Sequence, residues 1–193
     1  IPSGSVNGVP ALIGPGAVLN VRAFFEELEM LEKAGISTKD RVFVCHATHI
    51  VTDAHIASET NETAVGTTRR GIGPCVVDKV ARKGIRAEAV EELAPYLFDM
   101  SSLMNIENNT IILAEGAQGF GLDIDLGDYP YVTSTNCGPG AVINNGFNFR
   151  HIGVVYGVGK VYETYVGSKN FHGAEDVWDE IQRVGNEFGA TTG

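Results

Sequence analysis

Val21-Arg22-Ala23-Phe24-Phe25-Glu26-Glu27-Leu28-Glu29-Met30-Leu31-Glu32-Lys33-Ala34 is followed, after a polar turn from Ser37 to Asp40, by Arg41-Val42-Phe43-Val44-Cys45. The first run is a helix by its period. Val21, Phe24, Phe25, Leu28 and Leu31 recur at helical spacing and form one apolar stripe. Glu26, Glu27, Glu29, Glu32 and Lys33 cover the wet face. Asn20 can cap the start and Gly35 can end it. The second run is short, apolar and rich in valine, which reads as a buried strand. Helix, short turn, strand is an α/β unit. The sequence therefore predicts an α/β domain with a mostly parallel central sheet flanked by helices.

Outward from that unit the pattern is less regular. A second helix is expected after Pro74, over about Val76 to Lys83. A third is expected from about Ala87 to Met104, bent or broken near Pro95. Thr110 to Leu113 reads as a buried strand. From Gly116 to Arg150 periodicity fades, and loops that long in compact domains usually carry function. Ile152 to Tyr165 reads as a long strand. A last helix, about Glu175 to Val184, puts Val177, Trp178, Ile181 and Val184 on one face. No internal repeat or linker interrupts residues 1–193, which are expected to be one partial α/β domain of a longer chain. The absence of an initiating methionine before Ile1 and the abrupt stop after Gly193 both suggest a segment.

Composition narrows the function. The 193 residues carry 14 basic and 24 acidic side chains, a net charge of −10, with 44% hydrophobic and 20% charged residues. Such an acidic chain is poorly suited to holding nucleic-acid phosphates or a membrane surface. No apolar run approaches the roughly 20 residues of a membrane-spanning helix. Three cysteines, Cys45, Cys75 and Cys137, without CxxC spacing suggest a reducing, cytoplasmic setting.

Several constellations could carry chemistry. Gly157-Val158-Gly159-Lys160 is not a triphosphate loop: it lacks the first glycine at the required spacing and the following hydroxyl. Cys45, His46, His49 and His55 fit none of the usual zinc spacings, and no metal site is expected there. Gly66-Thr67-Thr68-Arg69-Arg70-Gly71-Ile72-Gly73-Pro74 is richer. Hydroxyls, guanidiniums and glycines ahead of a helix make an anion cradle, and Arg82 adds charge further along. Glu115-Gly116-Ala117-Gln118-Gly119 follows the expected strand at 110–113, at the strand end where α/β proteins place ligands. The Gln118 amide suits the edge of a neutral heterocycle, or an oxygen that gains charge. Asp123, Asp125 and Asp128 lack the remaining positions of a calcium loop and read as turn caps. Gly189 to Gly193 offers hydroxyls and N–H groups for a carboxylate or phosphate.

In order along the chain these pieces resemble the adenylosuccinate synthetase family. The matching segments are Ile1-Pro2-Ser3-Gly4, Gly66-Thr67-Thr68 with Arg70-Gly71-Ile72-Gly73-Pro74, and Asp78-Lys79-Val80-Ala81-Arg82. They continue with Glu115 to Gly119, Leu122-Asp123-Ile124-Asp125, Tyr129-Pro130-Tyr131-Val132-Thr133-Ser134, and Gly185-Asn186-Glu187-Phe188-Gly189-Ala190-Thr191-Thr192-Gly193.

The resemblance implies a ligase joining L-aspartate to C6 of a 6-oxopurine monophosphate. ATP or GTP, with Mg²⁺, first phosphorylates the purine O6. It implies a homodimer, and residue roles. Thr68 and Thr133 would hold the nucleotide phosphate. Arg82 would reach the nucleotide of the partner subunit. Gln118, the one catalytic residue expected in this segment, would sit by O6. Thr191 and Thr192 would hold aspartate, with Asn186 and Val166 nearby. The family's catalytic N-terminal loop, the Mg²⁺ ligands and the segments that select the triphosphate are expected outside residues 1–193.

Arg69 stands where many relatives have glycine, Tyr165 where arginine is common, and Asn136 to Gly140 departs from a Thr/Ala-rich run. The short stretch from Arg82 to Glu115 is similar to archaeal members and to phage enzymes that use dGMP rather than IMP. These departures tilt the sequence reading toward the phage type, in host cytoplasm. The ordinary IMP enzyme, a non-catalytic purine-binding module and a structural α/β domain are the alternatives.

Overall fold

The computed structural model describes residues 1–59, 65–105, 110–160 and 175–186. Among these residues the regular elements, in chain order, are β1 (Ala11–Ile13), β2 (Val18–Leu19), α1 (Val21–Lys33), β3 (Val42–Cys45), β4 (His49–Ile50), α2 (Asp53–Ser58), α3 (Ile72–Val80), β5 (Leu97–Phe98), α4 (Gly140–Asn144) and α5 (Glu175–Gly185). Short 3₁₀ turns lie between them.

The parallel sheet is present. β3 is central, with β1 on one side in register Ala11↔Val42 and β5 on the other in register Val44↔Leu97. A two-stranded parallel ribbon, β2 with β4, adds Val18↔His49 and Leu19↔Ile50. Parallel neighbours need a crossover, and α1 supplies it between β1 and β3. The cap expected at Asn20 forms, its Oδ1 accepting from Ala23 N at 3.0 Å. Gly35, at φ 80°, ends the helix, and the Glu32 carboxylate ties the following turn by accepting from the Thr38 hydroxyl at 2.7 Å.

The core lies between α1 and the sheet. Phe24 and Leu28 from the predicted stripe pack with Leu19, Val42, Val44, Ile50, Ala87 and Leu93. Phe24, Phe25 and Tyr96 meet edge to face, with ring centroids 5.3 to 5.8 Å apart, a favoured geometry for aromatic groups.

Four expectations need correction. The helix expected after Pro74 starts earlier, at Ile72, with Pro74 inside its first turn, where a missing N–H costs nothing. The stretch 87–104 is not one bent helix. It breaks into 3₁₀ turns at Ala87–Ala89, Glu91–Tyr96 and Met100–Asn105, with β5 between the last two. Val90 is extended between the first two, and Pro95 removes a donor in the second. Thr110 to Leu113 forms no strand and is not buried: Ile111 is 94% exposed. Residues 152–160 likewise form no strand and are largely exposed. Both runs have strand-like side chains, but a strand exists only with a neighbour to bond. The rest of the expected strand, to Tyr165, lies outside the described residues. The last helix is present as α5, although Val177 and Val184 on its apolar stripe remain exposed.

Candidate functional site

The loop from Gly66 to Gly71 leads into α3 and is held from beneath. Glu59, at the end of α2, accepts on one carboxylate oxygen from both the Thr67 hydroxyl and the Gly71 N–H, each at 3.0 Å. Thr67 Oγ1 in turn accepts from Arg69 N at 3.2 Å. Arg69 (φ 55°) and Gly71 (φ 71°) both have left-handed backbone. The result is a tight turn with Thr68, Arg69 and Arg70 exposed at its tip. The expected cradle is thus partly filled by the protein: Thr67 Oγ1 and Gly71 N serve Glu59, and the tip residues remain for a ligand.

α2 holds this turn against α3. Thr52 and His55 form a reciprocal cap: Thr52 Oγ1 accepts from His55 N, and Nδ1 of His55 accepts from Thr52 N at 3.1 Å. An Nδ1 that accepts leaves the proton on Nε2, which faces Asp78 Oδ2 of α3 at 3.2 Å. His55 is therefore a structural clamp rather than a metal ligand. His46 lies 3.3 Å from the Phe98 carbonyl, and His49 is in β4. The Cys45–His55 group does not converge, and no group of three His, Cys, Asp or Glu side chains among the described residues could hold a metal.

A second loop meets the start of α3. A Cβ built on Gly73 would lie 3.3 Å from Ser134 Oγ and 3.7 Å from Glu59 Oε1. Ser134, next to Thr133, therefore lies against the first turn of α3, which follows the turn that carries Thr68. The shape of the loop from Tyr129 to Ser134 is set by Asp123, which is 1% exposed. One oxygen of Asp123 accepts from the Asp125 and Leu126 N–H groups at 3.0 Å; the other accepts from Cys137 N at 2.6 Å. The bond from Cys137, then that from Asp125, holds the carboxyl at a pKa of about 2. Thr133 N donates to Leu122 O at 2.8 Å and Ile124 N to Thr135 O at 3.2 Å, which closes the loop. The expected turn-capping role is borne out at Asp123. With its oxygens filled by these donors, Asp123 does not fit a cation ligand, and Mg²⁺ finds no holder in this group.

Gln118 is exposed with φ 63°. It does not follow a sheet strand, since 110–113 forms none. Its loop is anchored elsewhere: Glu115 accepts from the Ser3 hydroxyl at 2.7 Å and the Ser3 N–H at 3.1 Å. These bonds hold the Glu115 carboxyl below its ordinary pKa and join the segments at 1–4 and 115–119. Arg82 is exposed just beyond the other end of α3, with φ 62°. Asn186 is exposed after α5. Val166, Thr191 and Thr192 lie outside the described residues.

Sequence reasoning missed two groups. Glu59 gave no local signal. The other is at the carboxyl end of the sheet, where Lys79 donates to Pro15 O at 2.8 Å and Asn145 Oδ1 accepts from Gly16 N at 2.9 Å. Burial lowers the Lys79 pKa.

The class this arrangement defines is an α/β protein with a parallel sheet and an exposed, arginine-bearing turn at a helix start. The adenylosuccinate synthetase family model matches residues 1–91 and 87–193, and the chain belongs to that family. It is similar to the adenylosuccinate synthetases of Candida tropicalis, 36% identical over 251 residues, and Histophilus somni strain 129Pt, 37% identical over 248 residues. Both alignments take in all of this chain, which spans 59% and 57% of those relatives. The aligned spans exceed 193 residues, so the relatives carry extra residues within the shared region. The two family matches meet at 87–91, inside the stretch that the sequence reading found short.

The fold resembles fully ligated adenylosuccinate synthetase from Plasmodium falciparum, with TM-score 0.80, 31% identity, and 94% of this chain against 54% of that one. It also resembles a cyanophage S-2L succinoaminodeoxyadenylate synthetase solved with dGMP and dATP. There the TM-score is 0.62 and the identity 24%, over 74% of this chain and 42% of that one.

Proposed function

We propose that the full-length protein is a purine-nucleotide ligase that joins L-aspartate to C6 of a 6-oxopurine nucleoside monophosphate. The γ-phosphoryl group of ATP or GTP passes to the purine O6. The aspartate amine then attacks C6, and phosphate leaves with that oxygen. The observation that carries this reading is that the Thr68 turn leads into α3 where Ser134, beside Thr133, lies against Gly73. Two hydroxyl-bearing loops, an exposed pair of arginines and a helix start suit a phosphate monoester.

In this reading Thr68 and Thr133 hold the monophosphate, and Gln118 donates to O6 as it gains charge. Asn186, Val166, Thr191 and Thr192 serve the aspartate. Arg82 acts across a homodimer. The nine residues of α3 span about 13 Å, which sets Arg82 apart from the Thr68 turn of its own subunit. Mg²⁺ would be supplied with the triphosphate and held outside this segment, and residues 1–193 form one part of the catalytic domain. Among the described residues no helix is long and apolar enough to cross a membrane.

IMP is the favoured monophosphate, because relatives named adenylosuccinate synthetase reach 36–37% identity. A dGMP enzyme is the second reading, supported by the short 87–91 junction. The test gives full-length protein aspartate, Mg²⁺, ATP or GTP, and either IMP or dGMP, and identifies the product by mass. An aspartate adduct of IMP alone is expected, and an adduct of dGMP alone would select the phage type. Gln118→Ala should lower kcat at least about tenfold, roughly 1.4 kcal/mol of transition-state stabilisation. No adduct from either nucleotide would leave a nucleotide-binding module.

A further inference from the structure

We propose that Glu59 is a positioning residue for the nucleotide phosphate: it fixes the Thr68-Arg69-Arg70 tip by tying both feet of that turn to one carboxylate oxygen. The proposal rests on the phosphate reading of the turn.

The two feet are Thr67, whose hydroxyl donates to Glu59 Oε2 at 3.0 Å, and Gly71, whose N–H donates to the same oxygen at 3.0 Å. A neutral acceptor could make these bonds, but an ionised one makes them about twice as strong. Glu59 also sits on an element that has its own ties to α3. It closes α2, whose start is capped by Thr52 and His55 and whose His55 faces Asp78 of α3. Gly71 is pressed onto α2, where a Cβ would come within 2.9 Å of Ile56 N and of Val51 Cγ1. Three fixed points, Asp78, Ile56 and Glu59, therefore determine where the tip stands. The tip itself makes little contact, since Thr68, Arg69 and Arg70 are all exposed. Remove the Glu59 carboxylate and the Thr67 hydroxyl and the Gly71 N–H both lose this shared acceptor, and the tip is released from α2.

A negative charge beneath a phosphate turn also invites the opposite role, an internal anion that competes with the ligand. The sign of the KM change separates the two. Steady-state kinetics on the full-length protein would compare Glu59→Ala, Glu59→Gln and Thr68→Ala, varying each substrate in turn. For Glu59→Ala, KM for the monophosphate should rise about tenfold or more. The KM values for aspartate and the triphosphate should stay within about twofold, and kcat within about threefold. Glu59→Gln, which keeps an accepting oxygen of the same shape, should fall between wild type and alanine and remains informative if the alanine variant does not fold. An unchanged or lowered monophosphate KM, or an equal rise for all three substrates, overturns the proposal. If Thr68→Ala raises that KM and Glu59→Ala does not, only the role of Glu59 fails. If Thr68→Ala leaves it unchanged, the phosphate reading of the turn fails, and this inference with it.

Discussion

Single residues set the shape of both loops that meet at α3, and they do so by different physics. Gly71 works by what it lacks. Its φ of 71° and the backbone of Ile56 against it leave no room for a side chain. Asp123 works by charge. Four donors converge on its carboxylate, the nearest being Cys137 N at 2.6 Å. They prefer the ionised form, so the pKa falls from 3.8 to about 2. A carboxyl whose pKa is lower in the folded state stabilises that state above its unfolded pKa. It loses that contribution as pH falls through the folded value. Acid unfolding of wild-type protein should therefore show a component between pH 3.8 and about 2. Asp123→Asn should lose this component and be less stable at pH 7. Circular dichroism across pH checks both. An Asn variant with the wild-type acid profile would show that Asp123 does not hold the loop.

At the scale of elements, α3 is a spacer with a binding role expected at each end. Thr68 precedes its first turn and Arg82 follows its last, with Ile72–Val80 between them. If Arg82 serves the partner's nucleotide, two variants impaired at monophosphate concentrations well below their raised KM should complement one another there. Mixing Thr68→Ala with Arg82→Ala subunits after dissociation should restore up to about a quarter of wild-type activity. Half the dimers are then mixed, and each mixed dimer keeps one intact site. No recovery would place both residues at the same site.

Legibility followed the range of the interactions at this scale. α1 and β3 could be read because the helical stripe, the Asn20 cap and the valine run are local signals. β1, β2 and β4 are two or three residues long and exist through their neighbours, so they left no pattern. The runs at 110–113 and 152–160 failed in the other direction, with strand chemistry but no described neighbour. In the candidate site, the Gly66–Pro74 segment was legible from its composition as a turn ahead of a helix. Its support was not, because Glu59 reaches it across twelve positions, and nothing in the spacing marks that bond.

Across the whole molecule, order is unevenly distributed. Residues 1–98 hold the sheet and the core, whereas every residue from 111 to 120 is exposed. β3 is bonded on both sides, while no backbone N–H in 111–118 has a backbone partner among the described residues. Exchange of amide hydrogens tracks such differences, because protected amides open only with the cooperative core. Val42 to Cys45 should exchange slowest, and 111–118 close to the rate of an unfolded chain. The net charge of −10 gives a phosphate ligand no long-range attraction to residues 1–193, so in the proposed reading affinity comes from local contacts at the two loops. Saturating IMP should therefore slow exchange at 66–73 and 129–134 together, and leave β3 unchanged. Protection of one loop without the other would separate Thr68 from Thr133. Strong protection at 111–118 before any ligand is added would mean that this segment already has a strand partner.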